Sequence, residues 1–258
     1  MGYAITPNRF APKCSDFVGC ENITNSHSIA YDRCNFKCLF CELRHRPKND
    51  YLSFSTIEFK KEILKLLFLG KAFKFTGGEP TLNPNLKRDL LIVKEAGGYI
   101  YLDTNGSSPS VISSLLKDEL IDVIGISIKG LSIQECLYTS NVREPKLVWD
   151  NVWETIHNAC SCEKVKTILT YVINQKTANF DTLLRMSELM KEYPNLYMKI
   201  NNIMENSESK KNGLYAVEQS RLFDTFTKFV DCYQEWKGRC ILINSDKAVG
   251  SYEDIIFL

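Results

Sequence analysis

The sequence predicts an α/β fold, a parallel sheet wound into a partial, TIM-like (β/α)6 barrel. Three observations carry this. Six short apolar or alternating segments are interleaved with longer amphipathic ones along 258 residues. The links between successive strand segments are long enough for a crossover helix, which imposes parallel pairing with a right-handed connection. Six such units are too few to close an eight-fold barrel. An apolar content of 44% over this length is enough for one α/β domain with a full core.

Residues 1–26 are polar and turn-rich, with Pro7, Pro12 and Gly19, and read as an N-terminal extension. The first strand is His27 to Tyr31. Ser55-Thr56-Ile57-Glu58 is a capping box that opens a helix to about Leu69, closed by Gly70. Lys71 to Thr76 is the second strand, stopped by Gly77-Gly78-Glu79-Pro80. A helix from about Pro84 to Ala96 follows, with proline suited to its first turn. The third strand, Tyr99 to Asp103, ends in Thr104-Asn105-Gly106, and a helix spans about Ser110 to Glu119. The fourth strand, Ile121 to Ile128, is nearly continuous apolar, as a strand buried on both faces should be. A helical region covers about Lys146 to Ala159. The fifth strand is Val165 to Ile173, its helix Phe180 to Tyr193, and the sixth strand Leu196 to Ile203. A helix from about Ala216 to Trp236 comes last, and Cys240 to Ile243 suits one more strand. The expected organisation is one domain over 1–258, with 27–203 as core barrel and 204–258 as a C-terminal helix and cap.

Bulk properties narrow the function. The 32 basic and 31 acidic residues nearly cancel, so charge gives no reason to expect long nucleic acid or a membrane as partner. Residues 1–13 lack an apolar signal region, and the run Ile63 to Leu69 is interrupted by Lys65 and too short to span a bilayer. Ten cysteines without a secretion signal point to a reducing cytoplasm, with thiols serving metal or packing.

The most informative stretch is Cys34-Asn35-Phe36-Lys37-Cys38-Leu39-Phe40-Cys41, with C-x3-C-x2-C spacing. Thiolates are the ligands of iron–sulfur clusters, and each iron of a [4Fe–4S] cube normally takes one cysteine. Cys34, Cys38 and Cys41 would leave one iron open for chemistry. Structural zinc wants four ligands, and only His45 stands near with no second pair. Three neighbouring thiols without a metal is the bland alternative. In barrels of this kind chemistry gathers at the C-terminal ends of strands. The cysteines, Gly77-Gly78-Glu79, Asp103-Thr104-Asn105-Gly106 and Ser127-Ile128-Lys129 all fall at such ends.

The cysteine stretch resembles the cluster loop of radical S-adenosylmethionine (SAM) enzymes, whose aromatic position is matched by Phe40. Phe75-Thr76-Gly77-Gly78-Glu79-Pro80-Thr81 resembles their GGEP motif. Leu102-Asp103-Thr104-Asn105-Gly106 and Gly125-Ile126-Ser127-Ile128-Lys129 look like the matching strand ends of the pyruvate formate-lyase activating enzyme group. The resemblance runs roughly from His27 to Asn202. It implies a [4Fe–4S] cluster and SAM as cofactors. Gly77, Gly78 and Glu79 would meet the amino group of SAM, Lys129 its carboxylate, and Asn105 its methionine or ribose side. Thr170 and Asn201 stand where the family approaches ribose and adenine, although the Arg and His of activating enzymes are absent there. Some relatives hold a monovalent cation with two aspartates and a threonine; Asp103 and Thr104 match, but Ser127 replaces the second aspartate.

The resemblance also implies the chemistry. A flavodoxin- or ferredoxin-like donor reduces the cluster, SAM is cleaved, and a 5′-deoxyadenosyl radical abstracts hydrogen from substrate. A peptide or protein substrate is expected from the activase-like third and fourth strand ends, with Arg44-His45-Arg46 placed to meet a carboxylate. Against an activase, Asn22 to Ile29 replaces the G-x-G-x-R-x3-F-x2-G segment of those enzymes. A small molecule such as a nucleoside or cofactor precursor is the second reading. A non-catalytic iron–sulfur or zinc protein is the third. Whether Cys14 and Cys20 join a second metal site is left open.

Overall fold

The computed structural model describes residues 2–10, 26–41, 50–243 and 255–257. Cys14, Cys20 and the turn Arg44-His45-Arg46 lie outside the described residues. The chain forms two compact units, one of 1–35, 43–127 and 150–167, the other of 36–42, 128–149 and 168–258.

In the first unit, strands follow chain order. β1 (Tyr3–Phe10) lies antiparallel to β2 (Ser26–Tyr31). β2, β3 (Ala72–Gly77), β4 (Tyr99–Thr104) and β5 (Val123–Ile128) then pair in parallel, with Ile29, Phe75, Leu102 and Ile124 in one register. α1 (Thr56–Leu67), α2 (Leu86–Glu95) and α3 (Pro109–Lys117) are the crossovers. The capping box forms as the sequence predicts: Glu58 N–H donates to Ser55 Oγ at 3.3 Å, and Ser55 N–H to Glu58 Oε2 at 2.8 Å. Phe59, Ile63 and Leu66 are the buried face of that helix.

β1 is the element the sequence hides. Its main chain exchanges two hydrogen bonds with Leu52, at 2.7 and 2.8 Å, so it has a partner besides β2. Tyr3 also joins a buried polar network. Arg88 Nη2 donates to Tyr3 Oη at 3.1 Å and to Asp89 Oδ1 at 2.7 Å, while Tyr31 Oη donates to Asp89 Oδ2 at 3.1 Å. Asp89 is wholly buried, which the three hydrogen bonds it accepts make tolerable. These ties between residues far apart in sequence, rather than periodicity, make 3–10 a strand. Another difference is the start of α2. Pro84 precedes the helix, whose N-cap is Asn85, and Pro80–Leu82 forms a 3-10 turn instead.

α5 (Pro145–Cys160) and β6 (Lys166–Ile173) each run through both units. The second unit holds α4 (Ile133–Ser140), α6 (Phe180–Met190), β7 (Leu196–Asn202), α7 (Ser207–Lys211), α8 (Gln219–Cys232), β8 (Cys240–Ile243) and β9 (Ile255–Phe257). β7 and β8 are parallel, Met198 opposite Cys240, and β9 returns antiparallel. Helices α6 and α8 meet through Phe180 and Phe229, with ring centroids 5.8 Å apart. The last helix is shorter than predicted. It stops at Cys232, and a 3-10 turn over Gln234–Trp236 brings the Trp236 indole N–H to Ser187 Oγ at 2.7 Å. Among the described residues, no helix is long and apolar enough to cross a membrane.

His27 illustrates the first unit's closed interior. It is wholly buried, its ring 5.1 Å from that of Phe73, and Nε2 lies 3.1 Å from the Gly70 carbonyl, to which it must donate. Burial pushes its pKa below the ordinary value of 6.5. The folded chain therefore resists a proton that the unfolded chain accepts, so stability is lost as pH falls below about 6.5. We expect denaturation midpoints to drop between about pH 7 and 5.5, and His27→Gln to flatten that part of the profile. An unchanged slope in the variant would contradict the neutral, buried assignment.

Candidate active site

The first unit contributes two strand-end turns. After β3 the chain passes through Gly77, at φ +109, and Gly78. A Cβ at Gly78 would lie 2.0 Å from the Arg33 carbonyl oxygen, and one at Gly77 2.2 Å from the Tyr31 nitrogen. The glycines thus let this turn press against the chain entering the cysteine loop. Gly78 N–H donates to Tyr31 O at 2.8 Å and Glu79 N–H to Arg33 O at 2.6 Å.

The turn delivers Glu79, which is 1% exposed. Its Oε1 accepts from Thr81 N–H at 3.1 Å, Thr81 Oγ1 at 2.7 Å and Thr104 Oγ1 at 2.7 Å. Its Oε2 accepts from Asn105 N–H at 2.6 Å. Burial pushes the carboxyl above its ordinary range, against the pull of these donors. Asn105, 5% exposed, turns toward the cysteine loop. Its Nδ2 donates to Asn35 Oδ1 at 2.8 Å and lies 4.0 Å from Cys34 Sγ. Its Oδ1 accepts from Ser107 N–H at 3.0 Å. Asp103 accepts from Thr76 Oγ1 at 3.0 Å, and Lys74 Nζ sits 3.6 Å from the same oxygen.

The second unit contributes the rest of the loop. Cys38 is buried with Phe36 and Val142, and Phe40, Cys41 and Val148 pack against them. Helix α4 anchors this segment: Lys37 N–H donates to Ser140 O at 2.9 Å and Leu39 N–H to Thr139 O at 3.0 Å. Lys129, just past β5, places Nζ 6.0 Å from the Phe40 ring centroid. Burial pushes the Cys38 thiol up, while the Lys129 ammonium pulls it down. Thr170 is buried within β6. Asn201, near the end of β7, holds a buried Oδ1 with no hydrogen-bond partner among the described residues, whereas neighbouring Asn202 is taken up by Val217, at 2.8 Å to its carbonyl and 3.0 Å from its N–H.

The residues present fit the expected cofactors. Three thiols on one loop and a nearby ammonium suit an anionic thiolate cluster, and the orphaned Asn201 oxygen suits a donor from a bound ligand. Among the described residues, no three His, Cys, Asp or Glu side chains gather as a single-ion cage. A cube is wider than one ion, and its cysteines attach at separate corners.

The sequence reading missed α4, whose carbonyls hold the loop. Its signal was present: Ser132-Ile133-Gln134-Glu135 has the capping pattern used at Ser55, and Glu135 N–H donates to Ser132 Oγ at 3.2 Å. It also missed Asn35, an unassigned position inside the cysteine motif, and Lys74, which belongs to no motif.

The sequence profile of the Radical SAM superfamily matches residues 28–187. The chain belongs to the radical SAM superfamily. Membership brings that superfamily's cofactors, a [4Fe–4S] cluster and SAM. A relative from Methanocaldococcus jannaschii, described as a putative glycyl-radical enzyme activating enzyme, is 35% identical over 102 residues, 37% of this chain and 40% of that one. A probable GTP 3′,8-cyclase of Saccharolobus islandicus is 29% identical over 149 residues, 55% of this chain and 46% of that one. The chain thus spans less than half the length of these relatives. SuiB of Streptococcus suis, bound to S-adenosylmethionine, superposes with TM-score 0.62 at 17% identity, over 85% of this chain and 50% of that one. SuiB bound to its precursor peptide SuiA gives 0.58 at 14% identity, over 87% and 61%. The likeness shows the fold, the partial barrel of radical SAM enzymes.

Glu79→Gln tests the tie between the two turns. One oxygen becomes an NH2 and faces a donor, either at Asn105 or at the threonines. A buried donor left unpaired costs about 1–3 kcal/mol, so chemical denaturation should show a loss of that size with the far-UV spectrum unchanged. An unaltered midpoint would mean that the carboxylate does not hold the turns.

Proposed function

We propose that the chain is a radical SAM enzyme that abstracts hydrogen from a peptide or protein substrate. The observation that carries it is the placement of four motifs at consecutive parallel strand ends. They are the cysteines after β2, Gly77-Gly78-Glu79 after β3, Thr104-Asn105 after β4 and Lys129 after β5. Cys34, Cys38 and Cys41 are the cluster ligands in this reading. When bound, the cluster and SAM together supply one-electron hydrogen-abstraction chemistry.

The chain's own residues bind and orient. Lys129 meets the SAM carboxylate, for which an ammonium is the natural partner. The backbone at Gly77 and Gly78 receives its amino end. Glu79 shapes this region and, with four donors already on its carboxylate, acts on SAM chiefly by fixing the Asn105 turn. Phe40 offers a ring face, and Thr170 and Asn201 the polar contacts at β6 and β7. The electron donor is flavodoxin- or ferredoxin-like. The activase-like relative and the peptide-bound SuiB neighbour support a polypeptide substrate. The GTP cyclase relative favours the second reading, a small molecule.

Anaerobically reconstituted protein should hold about four irons and, once reduced, convert SAM to methionine and 5′-deoxyadenosine. Alanine at Cys34, Cys38 or Cys41 should abolish both, whereas Cys136→Ala should keep the iron. Lys129→Met should weaken SAM binding by about 1.5–3 kcal/mol with iron retained. Retention of cluster and turnover by Cys38→Ala would overturn the ligand assignment. Deuterium appearing in 5′-deoxyadenosine from a deuterated metabolite fraction, and not from the polypeptide fraction, would replace the substrate reading.

A further inference from the structure

The second unit contains a cavity of about 160 Å³ that shares Lys129 and Phe40 with the SAM-binding residues and carries further charged groups of its own. Its walls include the rings of Phe40, Tyr138 and Tyr171, together with Lys129, Lys176 and Glu135. Glu135 brings no free negative charge. Arg185 Nη2 lies 2.8 Å from its Oε1, and Leu131 N–H donates to its Oε2 at 2.7 Å. Among the described residues neither Lys129 nor Lys176 has an ion-pair partner. Two lysines without an ion-pair partner among the described residues therefore line a cavity with aromatic walls.

Lys176 is exposed at the cavity edge. Its backbone N–H donates to Asn174 Oδ1 at 2.9 Å, and Nζ lies 3.6 Å from where a Cβ at Gly213 would sit. Gly213 has φ +66, so a side chain there would be strained. Tyr138 is 57% exposed and forms a rim on which a chain can lie. Burial pushes the Tyr171 hydroxyl up to about 12, so that wall stays neutral. A cavity with apolar walls and a lysine in its lining selects an anionic group on an apolar body.

We propose that this cavity receives a carboxylate-bearing residue of the polypeptide substrate, with Lys176 binding the carboxylate and Tyr138 the apolar neighbour. Lys129 is engaged by SAM, which leaves Lys176 as the cation that reads the substrate. This rests on the polypeptide reading given above, and it adds the substrate's chemistry: an acidic residue beside an aromatic or aliphatic one.

The test uses the full chain saturated with SAM and two peptides, acetyl-Glu-Phe-amide and acetyl-Gln-Phe-amide, with binding read by ligand-observed NMR. The glutamate peptide should bind roughly three- to tenfold tighter. Lys176→Met should erase that preference, and Lys176→Arg should keep it. Absence of binding, equal binding of the two peptides, a preference that survives Lys176→Met, or weaker peptide binding in the SAM-saturated chain than in the SAM-free chain would each overturn the proposal. Failure of the polypeptide reading is seen separately, as deuterium reaching 5′-deoxyadenosine from the metabolite fraction and not from polypeptide, and leaves this binding measurement intact.

Discussion

The buried carboxylate of Glu79 is the constraint on which the first unit's strand ends depend. A carboxylate withdrawn from water is costly unless its lone pairs are taken up. Here four donors from two turns converge on it, at 2.6 to 3.1 Å. The arrangement fixes the turn after β4 to the turn after β3. Asn105 then passes the order on, holding Asn35 at the start of the cysteine loop and reaching Cys34. The two glycines make this possible, since any side chain at Gly78 would collide with the Arg33 backbone. Residues some seventy positions apart are thereby set in place by one charge and two missing side chains.

In the second unit the equivalent constraint is a helix end. The last carbonyls of a helix lack intrahelical partners. At the end of α4, Ser140 and Thr139 spend theirs on the amides of Lys37 and Leu39. Asn141 closes the helix in the left-handed region, at φ 48, so the chain turns away and leaves those carbonyls open to the loop. Loop and helix complete each other's hydrogen bonding, and Cys38 is buried as a consequence.

These two constraints explain what could be read from the sequence. Parallel strands with nearly continuous apolar runs, such as Val123 to Ile128, announce themselves because burial on both faces dictates composition. The capping box at Ser55 did so because its partners are three residues apart. The cysteine spacing and the Gly-Gly-Glu turn were legible as local patterns. What stayed hidden has its partner elsewhere in the chain: β1 depends on Leu52, Arg88 and β2, and α4 is a short helix whose end is satisfied by a distant loop. The role of Glu79 as a tie was also hidden, because a sequence shows that a carboxylate exists but not how many donors surround it. Asn201 and Asn202 make the same point side by side. They are identical residues, yet one is consumed by Val217 and the other keeps an unpartnered oxygen.

The pair Asp103 and Thr104 carries the argument one step further. In sequence they match a cation-binding pattern that lacks its second aspartate at Ser127. In the structure both side chains are already committed. Thr104 gives its hydroxyl to Glu79 and accepts from Gly106 N–H at 3.1 Å. Asp103 takes the Thr76 hydroxyl and has a protein cation beside it, Lys74, whose ammonium also lies 4.8 Å from the Tyr101 ring centroid. A lysine rising from mid-strand β3 thus supplies positive charge at the end of β4. The side chain is 10% exposed, so water screens its charge little. Loss of the second aspartate and presence of a buried lysine are mutually consistent: with one carboxylate instead of two, one covalently tethered ammonium balances the charge.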